Sequence, residues 1–570
     1  MLLRAGSDHW RLYGLALREA GRCLRIGGRQ LLRLGTPRRR APERLLIVPP
    51  DLRTSDATIA NDIYAGYFVF GGRAVATGGR SPFSLEAPSR TWAEILYGFG
   101  WLRHLRAADT ALARANARAL VAEYLAHPPD PASRRAEVTA RRVMTYLSQS
   151  PLILDGADHA FYHKLMRALG RDLRRLVRAM ADHPRPLVRL NCAVAVVYAG
   201  LSIENCEGLA RRGSKLLARE LDVQILPDGG HVGRNPKAAL ELLLDLLPLK
   251  QVYLARGIEP PQALLQAIDR IPPMLRLMRH GDGTLALFNG MGSTPVDHLT
   301  TLLFYDEARA SPLQRALVSG FERIEAREAL LIADTGPAPA PIHAAEAGAG
   351  PASFEFSVRG QRIIVNCGAP RGRDDPIAPL SRSTAAHSTL TIADTSCGQF
   401  LTETGWFGRR LIARWLIRRI GPVMLRGPRE VVVERPSLLR FKISHDGYLP
   451  RFGVTHERRI TLAPEGDVLE GEDRLEGHYT GPADAQVAIR FHLHPSIRAS
   501  VTRGGRIAML VLPDGETWQG VAPGFLFELE ESIFLAATDG AKRTQQLVLS
   551  CPAQMKKAAQ WRFERLTGAR

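Results

Sequence analysis

Residues 228–236 bring together several side chains that could bind an acidic ligand and move a proton. The segment reads Asp-Gly-Gly-His-Val-Gly-Arg-Asn-Pro. Pro236 suits the first turn of a helix and Asn235 its N-cap, so His231 and Arg234 precede the positive end of that helix. The spacing predicts an anion-facing site, with His231 as a proton-transfer residue and Arg234 and Asn235 as binding residues.

A second candidate group consists of Arg382, His387 and Arg490. An imidazole exchanges a proton near neutral pH, which suits His387 for acid–base work. A guanidinium binds a carboxylate or sulfate through two parallel hydrogen bonds, which suits Arg382 and Arg490 for binding an acidic sugar. The alternatives are a buried structural histidine and ordinary ion pairs.

Weaker candidates lie in two glycine-rich turns, where His280 or Asn289 could reach the same site. These turns lack the pattern of a phosphate-binding loop. His492 and His494 lie on a predicted strand, but no spacing of histidines, cysteines or acidic residues demands a metal, so the sequence indicates no metal site or other cofactor. The six cysteines form no C-x-x-C pair, which indicates neither a zinc ribbon nor a disulfide framework.

The elements that position these residues change type along the chain. From about residue 90 to 330, apolar residues recur every three or four positions between Pro, Gly and Asp breaks, which predicts a serial array of helices. Beyond about 330 the period is two, which predicts many short strands and an antiparallel sandwich. The exceptions are 408–420, a helix or a loop, and 554–565. Pro337, Pro339 and Pro341 place a linker at about 335–350.

Particular motifs resemble the heparinase II/III-like family. The strongest is Arg-Ser-Thr-Ala-Ala-His-Ser-Thr at 382–389, which resembles the segment that opens a sandwich strand in that family. Similar stretches are 226–231, 353–356, 364–368, 456–459 and 490–495. The resemblance covers roughly residues 90–570 and implies a helical (α/α) toroid followed by an antiparallel β-sandwich. The expected domains are a basic segment at 1–45, the toroid at 46–335 and the sandwich at 336–570.

The resemblance also implies an activity, which is β-elimination of a uronate-containing glycan by a carbon–oxygen lyase. That reaction needs a group to neutralise the carboxylate, a base for the C5 proton and an acid for the leaving oxygen. His387 and His231 are the expected proton-transfer residues. Asn191 is the expected carboxylate contact, although Cys192 stands where the family often has histidine.

Two departures from the family pattern weaken the lyase hypothesis, which stays the leading one, and raise an alternative function. Ala238 and Ala239 occupy the places of a Tyr-His pair, and Gly348-Ala349-Gly350 replaces an H-A-D element. The alternative is a non-catalytic protein that binds glycan or assists envelope or capsule polysaccharide assembly.

The chain carries 76 Lys and Arg against 57 Asp and Glu, a formal charge of +19. Residues 1–44 contain eleven arginines and three acidic residues, so 11 − 3 = +8 of that charge lies there. Their spacing predicts a basic amphipathic helix on an anionic membrane surface or, alternatively, one packed on the domain with a solvated basic face. The spread of the remaining charge argues against nucleic acid as a partner.

The start of the chain lacks the pattern of a secretory signal. The family resemblance implies the cell envelope or periplasm, and the missing signal makes a cytoplasmic or peripheral inner-membrane location the alternative.

Overall fold

A computed structural model describes residues 2–32, 44–305, 311–372, 374–404, 406–502, 504–554 and 558–566, and the side chains of α1 from 10 to 28. The helices are α1 (Leu2–Leu32), α2 (Ala57–Tyr64), α3 (Arg90–Gly98), α4 (Leu102–Ala108), α5 (Ala111–Ala126), α6 (Ala136–Ser148), α7 (Ser150–Leu154), α8 (His159–Asp182), α9 (Pro186–Ser202), α10 (Glu207–Gln224), α11 (Pro236–Ala255), α12 (Gln262–Leu277), α13 (Val296–Phe304), α14 (Phe407–Ile420) and α15 (Leu449–Phe452).

The strands are β1 (Tyr67–Phe70), β2 (Arg73–Ala76), β3 (Arg315–Ala316), β4 (Phe321–Ala326), β5 (Ala329–Asp334), β6 (Phe354–Val358), β7 (Gln361–Val365), β8 (Leu390–Ile392), β9 (Gln399–Phe400), β10 (Met424–Arg426), β11 (Val431–Ser437), β12 (Arg440–His445), β13 (Val454–Leu462), β14 (Val468–Gly477), β15 (Gln486–Leu493), β16 (Arg498–Thr502), β17 (Ile507–Val511), β18 (Thr517–Val521), β19 (Phe527–Phe534), β20 (Lys542–Pro552) and β21 (Ala559–Arg565).

The helical half is a toroid that contains a largely apolar helix, α9. Helix α9 is buried along most of its length because it packs against α6, α8, α10 and α11. An apolar helix of this kind is stable only when neighbours cover it on every side. The predicted helical array is therefore confirmed, with one short β1–β2 hairpin that the sequence did not indicate.

The second half is a sandwich of two antiparallel sheets. One sheet has the order β19-β20-β15-β7-β6-β5-β4-β3, with β8 paired to β15, and the other has the order β11-β12-β13-β14-β21-β18-β17-β16. Alternate residues point inward, as along β13, so both sheets contribute to one apolar core. The toroid-plus-sandwich fold is as predicted.

Three details of the sandwich differ from the sequence expectation or complete it. Strands β3 to β5 belong to the first sheet although they precede the boundary expected at 335 and 336. The 408–420 stretch is helical, as one alternative held. The 554–565 stretch, set apart from the strands, ends in β21, which pairs with β14 and β18 in the middle of a sheet.

Candidate functional site

The segment from His343 to Gly350 lies where the toroid meets the sandwich, and we call it the junction segment. Asn235 Nδ2 donates to Glu346 Oε2 at 2.8 Å. Arg382 Nε donates to the carbonyl of Ala347 at 2.8 Å. Residues from the toroid and from the sandwich therefore meet on the stretch that the sequence indicated as a linker and as the place of the H-A-D element.

Asn235 caps α11 as predicted. Its Oδ1 accepts a hydrogen bond from Lys237 N at 2.9 Å, and Pro236 takes the first helical position. The cap satisfies one of the amides that a helix start leaves without an intrahelical partner. The side chain of Asn235 thus caps α11 through its oxygen and binds the junction segment through its nitrogen.

Arg234 is buried and directs its guanidinium at the sandwich. It donates to the carbonyls of Ser319 at 2.6 Å and Gly320 at 2.8 Å, and it pairs with Asp334. Its Cζ lies 4.8 Å from the centre of the Phe321 ring. These contacts occupy the group that was predicted to bind an anion and make it a link between the two domains.

Arg382 is held in a similar way. Its guanidinium donates to the carbonyls of Ala344, Ala347 and Pro422 at 2.9, 2.8 and 2.5 Å and stacks over Phe400. Burial lowers the pKa of Arg382 to about 10. The predicted bidentate contact with a sugar carboxylate would have to displace these backbone bonds.

His387 is 5% exposed and lies against the junction segment. Its Nδ1 donates to the carbonyl of Ser383 at 2.8 Å, which leaves the lone pair on Nε2. A Cβ added to Gly348 would lie 2.8 Å from Nε2, and one added to Gly350 would lie 2.4 Å from Cδ2. Burial lowers the pKa of His387 below its usual value, so the ring is neutral at pH 7.

His231 is also buried and neutral. Its Nδ1 accepts a hydrogen bond from Gly233 N at 3.0 Å, and its Nε2 lies 3.3 Å from Gln224 Oε1. Burial lowers the pKa of His231 to about 4, with a further contribution from His343. Both ring nitrogens of His231 therefore contact neighbouring residues, Gly233 and Gln224.

A hydrogen-bonded chain connects the two groups of predicted residues. The amide of Gly348 donates to Asn289 Oδ1 at 3.3 Å, and Asn289 Nδ2 donates to Asp334 Oδ2 at 3.0 Å. Asp334 is the carboxylate that pairs with Arg234. The regions around His387 and Arg234 thus belong to one buried polar network across the domain junction.

His280 and Arg490 contact residues outside the junction segment. Both ring nitrogens of His280 are bonded, to Ser357 Oγ and Glu355 Oε2 at 3.0 Å each. Arg490 contacts Glu530 and Asp394 at 3.0 and 3.2 Å. Asn191 is half-buried on α9, and its side chain forms no hydrogen bond with the part of the chain that is described.

A cluster of charges on α11 escaped the sequence analysis. Asp245 accepts two hydrogen bonds from Arg141, both at 2.9 Å, and one from Arg53 at 2.8 Å. Arg53 also reaches Glu241 at 3.0 Å. Burial alone would raise the pKa of Asp245, but Arg141 and Arg53 outweigh it and hold the pKa below its usual value. The available signal was a pair of carboxylates four residues apart in a largely apolar helix.

The histidines of the sandwich form a hydrogen-bonded row. His445 Nε2 lies 3.1 Å from His456 Nδ1, and His456 Nε2 lies 2.7 Å from Asp473 Oδ1. Arg458 neutralises Asp473 through a bond of 2.7 Å. In the described ranges no three His, Cys, Asp or Glu side chains are grouped to hold a metal ion.

A helical toroid followed by an antiparallel sandwich is the architecture of the heparinase-like polysaccharide lyases. Residues 308–562 match the heparinase II/III-like C-terminal domain. The solved structure of heparinase III is similar, with a TM-score of 0.66 at 12% identity over 87% of this chain and 81% of that one. A mutant of the heparan sulfate lyase HepC from Pedobacter heparinus gives 0.60 at 14% identity over 91% and 84%.

A curated relative is much closer in sequence. It is the FtsZ-localized protein C of Caulobacter vibrioides, 32% identical over 507 residues, which cover 86% of this chain and 84% of the relative. The chain belongs to the heparinase II/III-like family. The solved structures show its fold, which is that of the heparinase-like polysaccharide lyases.

Proposed function

We propose that this chain is a non-catalytic member of its family that acts by binding an acidic polysaccharide. The packing of His387 against Gly348 and Gly350 carries the proposal. Those glycines stand where the family resemblance implies a histidine and an acid, and the imidazole fills the space that their side chains would need. The guanidinium groups of Arg234 and Arg382 are also hydrogen-bonded to backbone carbonyls, so few of the predicted binding and catalytic groups are left to face a sugar.

The basic groups that we propose for glycan binding lie on and beside α11. Lys237 is exposed on the first turn, and the Arg141 side chain is 30% exposed next to Asp245. Glu241, whose side chain is 40% exposed, adds an acceptor for sugar hydroxyls. Cations for carboxylates and an acceptor for hydroxyls are the groups that an acidic polysaccharide requires.

The test uses the full chain and a panel of uronate-containing polysaccharides. Elimination would be followed by the ultraviolet absorbance of the unsaturated uronate product, and binding by affinity electrophoresis. We expect no product, and we expect retardation that weakens in Lys237→Ala but not in the matched control Lys215→Ala on the outer helix α10.

Two results would change the conclusion. Product formation that disappears in His387→Ala would overturn the non-catalytic proposal and establish the alternative, a β-eliminating lyase that uses His387. An absence of retardation with every polymer would overturn glycan binding.

We also propose that residues 1–45 attach the chain to an anionic membrane surface. Trp10, Leu17 and Leu24 follow one another at seven-residue intervals on α1 and are 77%, 75% and 77% exposed. Arg18 and Arg25 are exposed directly after Leu17 and Leu24. Aromatic and aliphatic side chains beside arginines are typical of helices that lie in a bilayer interface. None of the described helices is long and apolar enough to span a bilayer.

The location that we propose is the inner membrane, with the chain attached peripherally on the side where thiols stay reduced. All six cysteines are free, which fits that side better than an oxidising compartment. The relative from Caulobacter vibrioides is named for its localization with FtsZ, and we extend this localization to the present chain. A fluorescent fusion that does not co-localise with FtsZ would contradict the assigned localization with FtsZ. A signal from a fused reporter enzyme that is active only outside the inner membrane would contradict the assigned side of the membrane.

A further inference from the structure

Helix α14 leaves the sandwich between β9 and β10 and packs against the N-terminal helix. Leu12 of α1 is 1% exposed and contacts a cluster that includes Leu416 and Ile420 of α14. Glu19 of α1 pairs with Arg419 of α14. The two helices therefore form one packed unit, although about 375 residues separate them in sequence.

Both helices of this unit carry large exposed apolar side chains. On α14 and the residue before it, Trp406 is 60%, Phe407 75% and Leu411 50% exposed. They add to the row on α1 formed by Trp10, Leu17 and Leu24. Single exposed apolar residues are ordinary in proteins, but six large ones on two contacting helices are expected to have a partner.

Helix α14 is also strongly basic. Arg410, Arg414 and Arg418 are exposed at four-residue intervals, and the sequence of α14 contains no acidic residue. Neither Arg414 nor Arg418 forms an ion pair or hydrogen bond with the described part of the chain. Exposed arginines therefore share α14 with Phe407 and Leu411, and their charge is complementary to lipid phosphates.

We propose that α1 and α14 act together as one membrane-binding surface, which inserts Trp10, Leu17 and Leu24 and also Trp406, Phe407 and Leu411 into an anionic bilayer interface. We call these six residues and the exposed arginines beside them the interfacial surface. The inference rests on the proposed membrane attachment of residues 1–45 and adds α14, a segment of the sandwich domain, to it. Tryptophan suits this role because its ring is apolar and its N–H stays close to water.

The direct test is sedimentation of the full chain with vesicles of phosphatidylcholine, with and without phosphatidylglycerol. The test variant combines Trp406→Ser, Phe407→Ser and Leu411→Ser. We expect at least about tenfold weaker binding to the anionic vesicles, because three apolar side chains no longer enter the interface.

The matched control changes the same number of exposed apolar residues elsewhere, in Phe304→Ser, Leu438→Ser and Leu526→Ser, which are 84%, 73% and 53% exposed. This variant should bind as the parent does. A further variant, Arg414→Glu with Arg418→Glu, should bind more weakly than the parent mainly at low salt. At high salt the attraction between arginines and lipid phosphates is screened in both proteins, and binding depends on insertion of the apolar side chains.

A second readout does not depend on affinity. Quenching of tryptophan fluorescence by brominated lipid should be smaller in Trp406→Phe than in the parent chain, because Trp406 would be one of the inserted rings. Circular dichroism and the urea midpoint should be unchanged in every variant, since each altered side chain is exposed.

The outcomes separate the two proposals. Parent protein that does not sediment with anionic vesicles would overturn both. Binding that is lost when Trp10, Leu17 and Leu24 become serine, but is kept by the α14 variant with full quenching in Trp406→Phe, would leave the attachment through residues 1–45 standing and overturn the role of α14.

Discussion

Replacing Gly350 by alanine adds one methyl group at the centre of the domain junction. The new Cβ would lie 2.4 Å from Cδ2 and 2.6 Å from Cγ of His387, while ordinary contact begins at 3.4 Å. The imidazole would have to move by about 1 Å, from 3.4 − 2.4. It is buried and bonded to the carbonyl of Ser383, so it has little room to do so.

The expected cost follows from two contributions. Forcing a methyl group into a packed site costs roughly 1–3 kcal/mol, and loss of the His387–Ser383 hydrogen bond costs about 1 kcal/mol. Gly350→Ala should therefore lower the free energy of unfolding by about 2–4 kcal/mol. Gly21→Ala is the control, because a Cβ at Gly21 meets nothing within 4 Å.

A double-mutant cycle identifies His387 as the cause. In a His387→Ala background the methyl group has space, so Gly350→Ala should cost much less, with a coupling of at least about 1 kcal/mol. Urea unfolding followed by tryptophan fluorescence and circular dichroism measures the four variants. An equal effect of Gly350→Ala in both backgrounds, or no effect in either, would refute the described packing of His387.

Three further predictions concern the toroid and the start of α11. Asp245→Ala leaves Arg53 and Arg141 without their shared carboxylate and should cost about 3–5 kcal/mol in a urea titration, whereas a cost under about 1 kcal/mol would contradict the cluster. Asn235→Ala removes the N-cap and should cost about 1 kcal/mol, seen as a lower urea midpoint; an unchanged midpoint would show that the cap is dispensable. Burial lowers the pKa of His231 from 6.5 to about 4, so the unfolded chain binds a proton in that interval that the folded chain does not, and stability falls as the pH drops through it. His231→Gln should reduce this slope by about 1.4 kcal/mol per pH unit, and equal slopes would place His231 in solvent.

The sequence alone determined the order and type of most elements. Helical and strand periods are local properties, so the helical array and the sandwich were readable from spacing. The N-cap at Asn235 was predictable for the same reason, since the cap and the amide it binds are two residues apart. The motif at 382–389 identified the family because its residues are contiguous.

Tertiary structure decided what the candidate residues contact. Arg234 meets Asp334 one hundred residues away, and Arg382 meets Pro422 forty residues away, and no local pattern encodes such pairs. The same holds for α1, whose Leu12 is covered by α14. Sequence spacing places a side chain on a face of its own element, but only the packing of distant elements determines whether that face meets solvent, a ligand or a backbone carbonyl.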